Sequence, residues 1–247
     1  MQQLPPPPPP PPNLLSRAAL ETRLAASGQR LRGGFVPAPD QALPVLPGQA
    51  PAAVVWMVGQ VGSQCWPVFA GSSFYRDGLP DPLDRWSKSL GNPLAQAHGG
   101  VAIYPSDGPP FYPFQQWARR AEPLLQQSPL MLHIHPEHGL WHAYRFALVL
   151  PLLSEDDAHA ISEAAARPAP DLCLQCDGQP CLSACPVDAF TGSGYAIDRC
   201  SGHLHGPHGQ TCMPTGCLAR HACPVGTTNR YAPEHAAFHM AAFARRH

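Results

Sequence analysis

Eight of the nine cysteines fall between residues 173 and 223, in two sets that each end in Cys-Pro. Cys173, Cys176, Cys181 and Cys185 run C-x2-C-x4-C-x3-C-P, and Cys200, Cys212, Cys217 and Cys223 run C-x11-C-x4-C-x5-C-P. Thiolates at this density are ligands for soft metals, and two uses compete. Two tetrahedral zinc sites would prefer paired C-x2-C knuckles, and only Cys173 with Cys176 forms one. The remaining spacings suit loops that wrap a 4Fe-4S cubane, with a proline stiffening the turn where the chain leaves it. The spacing therefore favours two 4Fe-4S clusters, and zinc and disulfides stand as rivals. The N-terminus, MQQLPPPPPPPP, lacks the basic and apolar regions of a secretory signal, so a cytoplasmic protein is expected. In that reducing compartment a disulfide framework is disfavoured.

The elements that must position these cysteines come from the rest of the 247 residues. Residues 1–32 read as a tail: eight prolines at 5–12 form an extended rod, and Asn13 caps a short flexible helix with Leu15, Leu20 and Leu24, stopped by Gly28. The rod reads as a spacer or as a ligand for an aromatic-lined groove. Residues 33–167 read as an α/β domain. Strands are expected at 53–61, 101–104, 130–134 and 146–152, and helices at 82–97 and 113–125, the latter with Phe114, Trp117 and Ala121 on one face. Residues 168–228 hold little apolar material and read as a small ferredoxin-like α+β dicluster module that needs metal to fold. Residues 229–247 close the chain with a helix, Pro233 at its first position and Ala236, Met240 and Phe243 on one face.

Other chemistry-bearing stretches have plainer readings beside the functional ones. LHIHPEHGLWH offers His133, His135, His138 and His142 as metal ligands, yet only His133 and His135 share a strand face. His203, His205 and His208 fit an exposed loop better than cluster ligation, since eight cysteines already serve two cubanes. Cys65, among apolar neighbours, reads as a buried structural thiol. Asp77, Asp81, Asp84 and Arg85 make either a polar site or turns and caps.

The cysteine order resembles that of the dicluster domain of epoxyqueuosine reductases and related corrinoid-linked reductases. Small bacterial ferredoxin-type proteins are similar too, through RGGFVPAPD, DGLPDPLDRW, PFQQWA and HPEHGLWHAYR, over residues 32–243. The resemblance implies a crossed wiring: Cys173, Cys176, Cys181 and Cys223 hold one cluster, and Cys185, Cys200, Cys212 and Cys217 the other. It also implies, as the alternative to a histidine metal site, that Gly139 and Trp141 line a groove facing a cofactor or cluster. Four residues separate Cys176 from Cys181 where the family has two, and no residue matches the family's catalytic acid.

The function expected is one-electron relay through two 4Fe-4S clusters to a redox partner protein or a small-molecule acceptor. The alternatives are a corrinoid-linked reductase, although no motif marks a corrinoid, and a zinc-stapled structural module. Charge speaks against nucleic acid as a partner, with 16 Lys plus Arg against 17 Asp plus Glu. No run approaches the roughly 18 apolar residues of a membrane span, and no GxGxxG or P-loop marks a nucleotide.

Overall fold

The computed structural model of the chain describes residues 17–191 and 194–247. In chain order the elements are α1 (Arg17–Ala25), β1 (Arg30–Phe35), β2 (Val54–Val61), α2 (Trp66–Gly71), α3 (Ser73–Arg76), α4 (Pro82–Ala97), β3 (Val101–Ile103), α5 (Phe114–Ala121), β4 (Gln126–Gln127), β5 (His133–Ile134), β6 (His142–Leu150), α6 (Glu155–Ala165), α7 (Pro180–Ser183), α8 (Ile197–His205), α9 (Leu218–His221) and α10 (Pro233–Arg246). The first part is thus mixed α/β, around a four-stranded sheet of order β1-β2-β6-β3 in which every pairing is antiparallel. Among the described residues no helix is long and apolar enough to cross a membrane.

Helices cover both sheet faces, which explains why β2 reads as an unbroken apolar run and is buried at all eight positions. Val54, Trp56 and Val58 point to one face, against Leu20 and Leu24 of α1 and Leu94 and Ala95 of α4. Val55 and Met57 point to the other, against Trp117, Ala118 and Ala121 of α5. The tail expected over residues 1–32 therefore ends earlier. From Arg17 on, the helix packs through buried Leu20 and Leu24, and the boundary at 32/33 falls inside β1. The polyproline run, Asn13 and Leu15 lie outside the described residues.

Arg32 is 2% exposed on β1, a position that only a partner makes tolerable. Its guanidinium donates to both Glu122 carboxylate oxygens, at 2.8 and 2.7 Å, and to the Gln60 carbonyl at 3.2 Å. The helix expected over 113–125 stops at Ala121, because Glu122 precedes Pro123 and leaves the helical region at φ −127°, ψ 85°.

Two strand expectations change. Of residues 130–134 only His133–Ile134 pair, with Gln126–Gln127, because Met131 turns the chain at φ +58°. The last strand begins at His142, four residues before the apolar run, where Ala143 and Tyr144 still pair with Gln60 and Gly59 of β2.

Among the described residues of 168–228 there is no strand. The segment consists of α7, α8, α9, 3-10 turns and one antiparallel bridge, Phe190 to Tyr195, whose rings stack at 4.7 Å. Its Gly, Pro and Cys content offers no apolar alternation to extend that bridge. α10 ties this segment to the rest. Phe243 meets Tyr195 at 6.2 Å, while buried His235 is sandwiched between Trp66 at 5.0 Å and Tyr231 at 4.2 Å.

Candidate functional site

The eight clustered cysteines sort into two quartets in space. Cys173, Cys176, Cys181 and Cys223 line one small apolar pocket with Leu130 and Leu140. Burial pushes the Cys173 thiol up to about 11, and negative charge on Cys223, Cys181 and Cys176 pushes the same way. Burial likewise raises Cys181 and Cys223, each with Cys176 among its electrostatic neighbours.

The second set forms by the same relations. Cys200 is raised by burial and by Cys185 and Cys212; burial pushes Cys217 up to about 11, with Cys212 and Cys200 adding to it. Tyr195, raised chiefly by burial, is further raised by Cys200, Cys217 and Cys185. The partition is crossed: Cys185 leaves its sequence neighbours for the second quartet, and Cys223 joins the first. Both are the cysteines followed by proline. All nine thiols are free of disulfides.

Hydrogen-bond donors converge on the sulfurs. The Ala189 N–H donates to Cys185 Sγ at 3.3 Å, backbone N–H groups of Arg220 and Ala219 to Cys217, that of Val225 to Cys223, and the Tyr195 hydroxyl to Cys200. Such bonds favour thiolate over thiol, against the burial that raises Cys200, Cys217 and Cys223.

The sheet domain supplies one wall. Leu130, Ile134 and Leu140 pack in one cluster with Cys181, Cys185 and Cys223. Leu140, and not the expected Gly139 and Trp141, faces the first quartet. Trp141 is 1% exposed and fills the interior, with the Arg220 guanidinium 4.6 Å from its ring. Gly139 is where backbones meet: at φ +57°, a Cβ there would lie 2.0 Å from the Val225 carbonyl oxygen. Arg220, Tyr195 and Leu140 were invisible as site residues in the sequence, although Arg220 sits between two cysteines of opposite quartets.

The histidines serve local structure. His135 Nδ1 accepts the backbone N–H of Glu137 at 3.1 Å and of His138 at 3.4 Å, and the His135 and His138 rings stack at 4.3 Å. Ligating atoms of His135, Glu137 and His138 lie within 4.8 Å of one another, so the natural trio is not the expected His133 and His135. Burial, then His138 and Arg32, lowers His135 to about 3; burial and Arg32 lower His138 to about 4. The cationic surroundings that help keep these rings neutral also repel a metal ion. Among the described residues no three cysteine sulfurs lie within 4.8 Å of one another. His205 and His208 are exposed and His203 half-buried at the end of α8.

The acidic stretch makes turns and caps. Arg85 binds both Asp77 carboxylate oxygens at 2.7 Å, Asp77 Oδ1 accepts the Leu79 N–H at 2.9 Å, and Asp81 turns the chain at φ +50° ahead of Pro82. Cys65 is buried, and desolvation pushes its thiol up to about 11. Cys65→Ser is therefore expected to leave metal content unchanged and to cost about 1–3 kcal/mol for a buried hydroxyl, read by thermal melting. A change in metal content would instead make Cys65 a ligand. No family model and no curated protein matches this chain.

Proposed function

We propose that the protein is a one-electron relay holding two 4Fe-4S clusters, the first on Cys173, Cys176, Cys181 and Cys223, the second on Cys185, Cys200, Cys212 and Cys217. The observation that carries this is the crossed partition of the thiols, with each Cys-Pro handing its sulfur to the other set, as in two-cluster ferredoxins. On this reading residues 168–228 are a dicluster ferredoxin-type module whose core is largely the clusters themselves. When bound, such clusters supply single-electron transfer at a potential tuned by hydrogen bonds to sulfur and by access of water.

The residues present fit that group better than zinc. Tetrahedral zinc with Zn–S near 2.3 Å draws its sulfurs to about 3.8 Å apart, whereas no three cysteine sulfurs among the described residues lie within 4.8 Å. Wider quartets suit a ligand several atoms across. Leu130, Ile134 and Leu140 exclude water from one side of the first quartet, and the converging N–H groups offset negative charge on the sulfurs. On its other side Cys173 adjoins Leu174, which is 80% exposed and open to a redox partner. Nothing in this reading calls for nucleic acid or a membrane, and a reducing cytoplasmic setting suits cysteines that serve as ligands.

The test is elemental: iron, zinc, cobalt and acid-labile sulfide on anaerobically purified protein. About eight iron and eight sulfide per chain are expected. About two zinc without sulfide would replace the relay with a metal-stapled structural module, and cobalt beside iron would move the protein to the corrinoid-linked reductases.

A further inference from the structure

Arg145 and Arg220 open onto one cleft of about 440 Å³, within the range of small-molecule sites, and no Asp or Glu lines it. Among the described residues neither guanidinium has a carboxylate within 4 Å; the ion pairs all lie elsewhere. Arg145 has Asp84 as a more distant counter-charge on its other side, Arg220 has none among the ion pairs, and an anion in the cleft that both line is attracted to the two together.

Both cations are held in place beforehand. Arg145 Nε donates to Gln60 Oε1 at 2.9 Å. Arg220 lies between the rings of Trp141, at 4.6 Å, and Tyr231, at 4.5 Å, and donates to the Leu140 carbonyl. Guanidiniums fixed in this way bind carboxylate or phosphate with little loss of side-chain freedom. His239 lines the same cleft, and burial, then Arg145, His235 and Arg220, lowers it to about 2, so it stays neutral and adds no competing charge. Tyr144, His142 and Tyr231 line the same cleft, Tyr231 being only 5% exposed and already packed on Arg220 and His235.

Leu140 lines this cleft and also the pocket of the first cysteine quartet. The two spaces thus adjoin at Leu140. We propose that the cleft is the seat of a flat anionic small molecule, its phosphate or carboxylate group held by Arg145 and Arg220 and its ring laid against the aromatic wall. Its part as the relay's electron acceptor rests on the two-cluster reading above. The cleft suits a ligand of flavin size better than a corrinoid macrocycle.

The experiment is isothermal titration calorimetry of the protein as purified with flavin mononucleotide, with riboflavin as the uncharged counterpart. The expected result is binding of flavin mononucleotide at least about 10-fold tighter than riboflavin, equivalent to about 1.4 kcal/mol. Arg145→Glu is expected to weaken it about 100-fold, and Arg145→Gln, which removes the charge and keeps a partner for Gln60, about 10-fold. Both variants are expected to melt within a few degrees of the parent and to keep their metal content. Equal affinity for the two flavins, or an Arg145→Gln isotherm identical to the parent's, overturns the site. A protein without iron and sulfide that still shows Arg145-dependent binding keeps the anion site and overturns the acceptor role alone.

Discussion

Cys176→Ser and Cys223→Ser are expected to strip the same half of the metal, lowering iron from about eight to about four per chain, and the double variant is expected to lose no more than either single one. Combining Cys176→Ser with Cys212→Ser should remove nearly all of it. The expectation follows from the electrostatic neighbours: Cys176 acts on Cys173, Cys181 and Cys223, whereas Cys212 acts on Cys200 and Cys217. An uncrossed arrangement in sequence order makes the opposite prediction. It would seat Cys176 with Cys185 and Cys223 with Cys212, so that the Cys176/Cys223 double variant would be nearly empty. Iron and sulfide measured on anaerobic protein decide between the two. Stability should follow the metal, because residues 168–228 bury few apolar side chains besides the cysteines and their neighbours. The single variants should melt in two steps, with the sheet domain outlasting the cysteine segment.

Gly139→Val should be the most damaging substitution that touches no ligand. A β-branched residue at φ +57° costs about 1–3 kcal/mol in backbone strain alone. Its Cβ would also lie 2.0 Å from the Val225 carbonyl oxygen, and the contact is reciprocal, since a Cβ on Gly226 would lie 2.3 Å from the His138 carbonyl carbon. Two backbones are pressed together with no side chain to yield. A total of about 4 kcal/mol, or a melting point lower by about 8–16 °C, is expected. Because Val225 follows Cys223 and Pro224, the displacement should also deplete the first quartet of metal and leave the second. Gly202→Ala is the control: its added methyl group meets nothing within 4 Å in α8, and a small gain of about 0.5–1 kcal/mol is expected. A Gly139→Val protein that melts with the parent would show that the two backbones are not in contact.

What was legible in the sequence was whatever its immediate neighbours determine. α4 and α10 were read to their observed ends, because each pairs a proline at the first position with apolar residues on one face. β2 was read to within one residue. β1 was missed: in RLRGGF two arginines and two glycines hide a strand that exists because Arg32 meets Glu122 ninety residues on and Gly34 lets Trp56 approach. α6 was missed although its cap was in plain sight, Ser154 accepting the Asp157 N–H at 3.1 Å. The cysteines announced themselves through type and spacing. Their crossed grouping came from resemblance, and the wall made by Leu140, with the Trp141–Arg220–Tyr231 stack behind it, depends on contacts that no local pattern encodes.

The two quartets are nested along the chain: the second, from Cys185 to Cys217, lies wholly inside the span from Cys173 to Cys223 that the first one closes. Tension applied to the two ends of the polypeptide therefore reaches the outer staple first and is shunted past the inner one. The inner loop carries no load until the outer gives way. On the two-cluster reading, a pulling experiment should make the module yield in a fixed order, outer before inner, so that a protein dragged toward a degradation machine would surrender its first centre while the second is still intact.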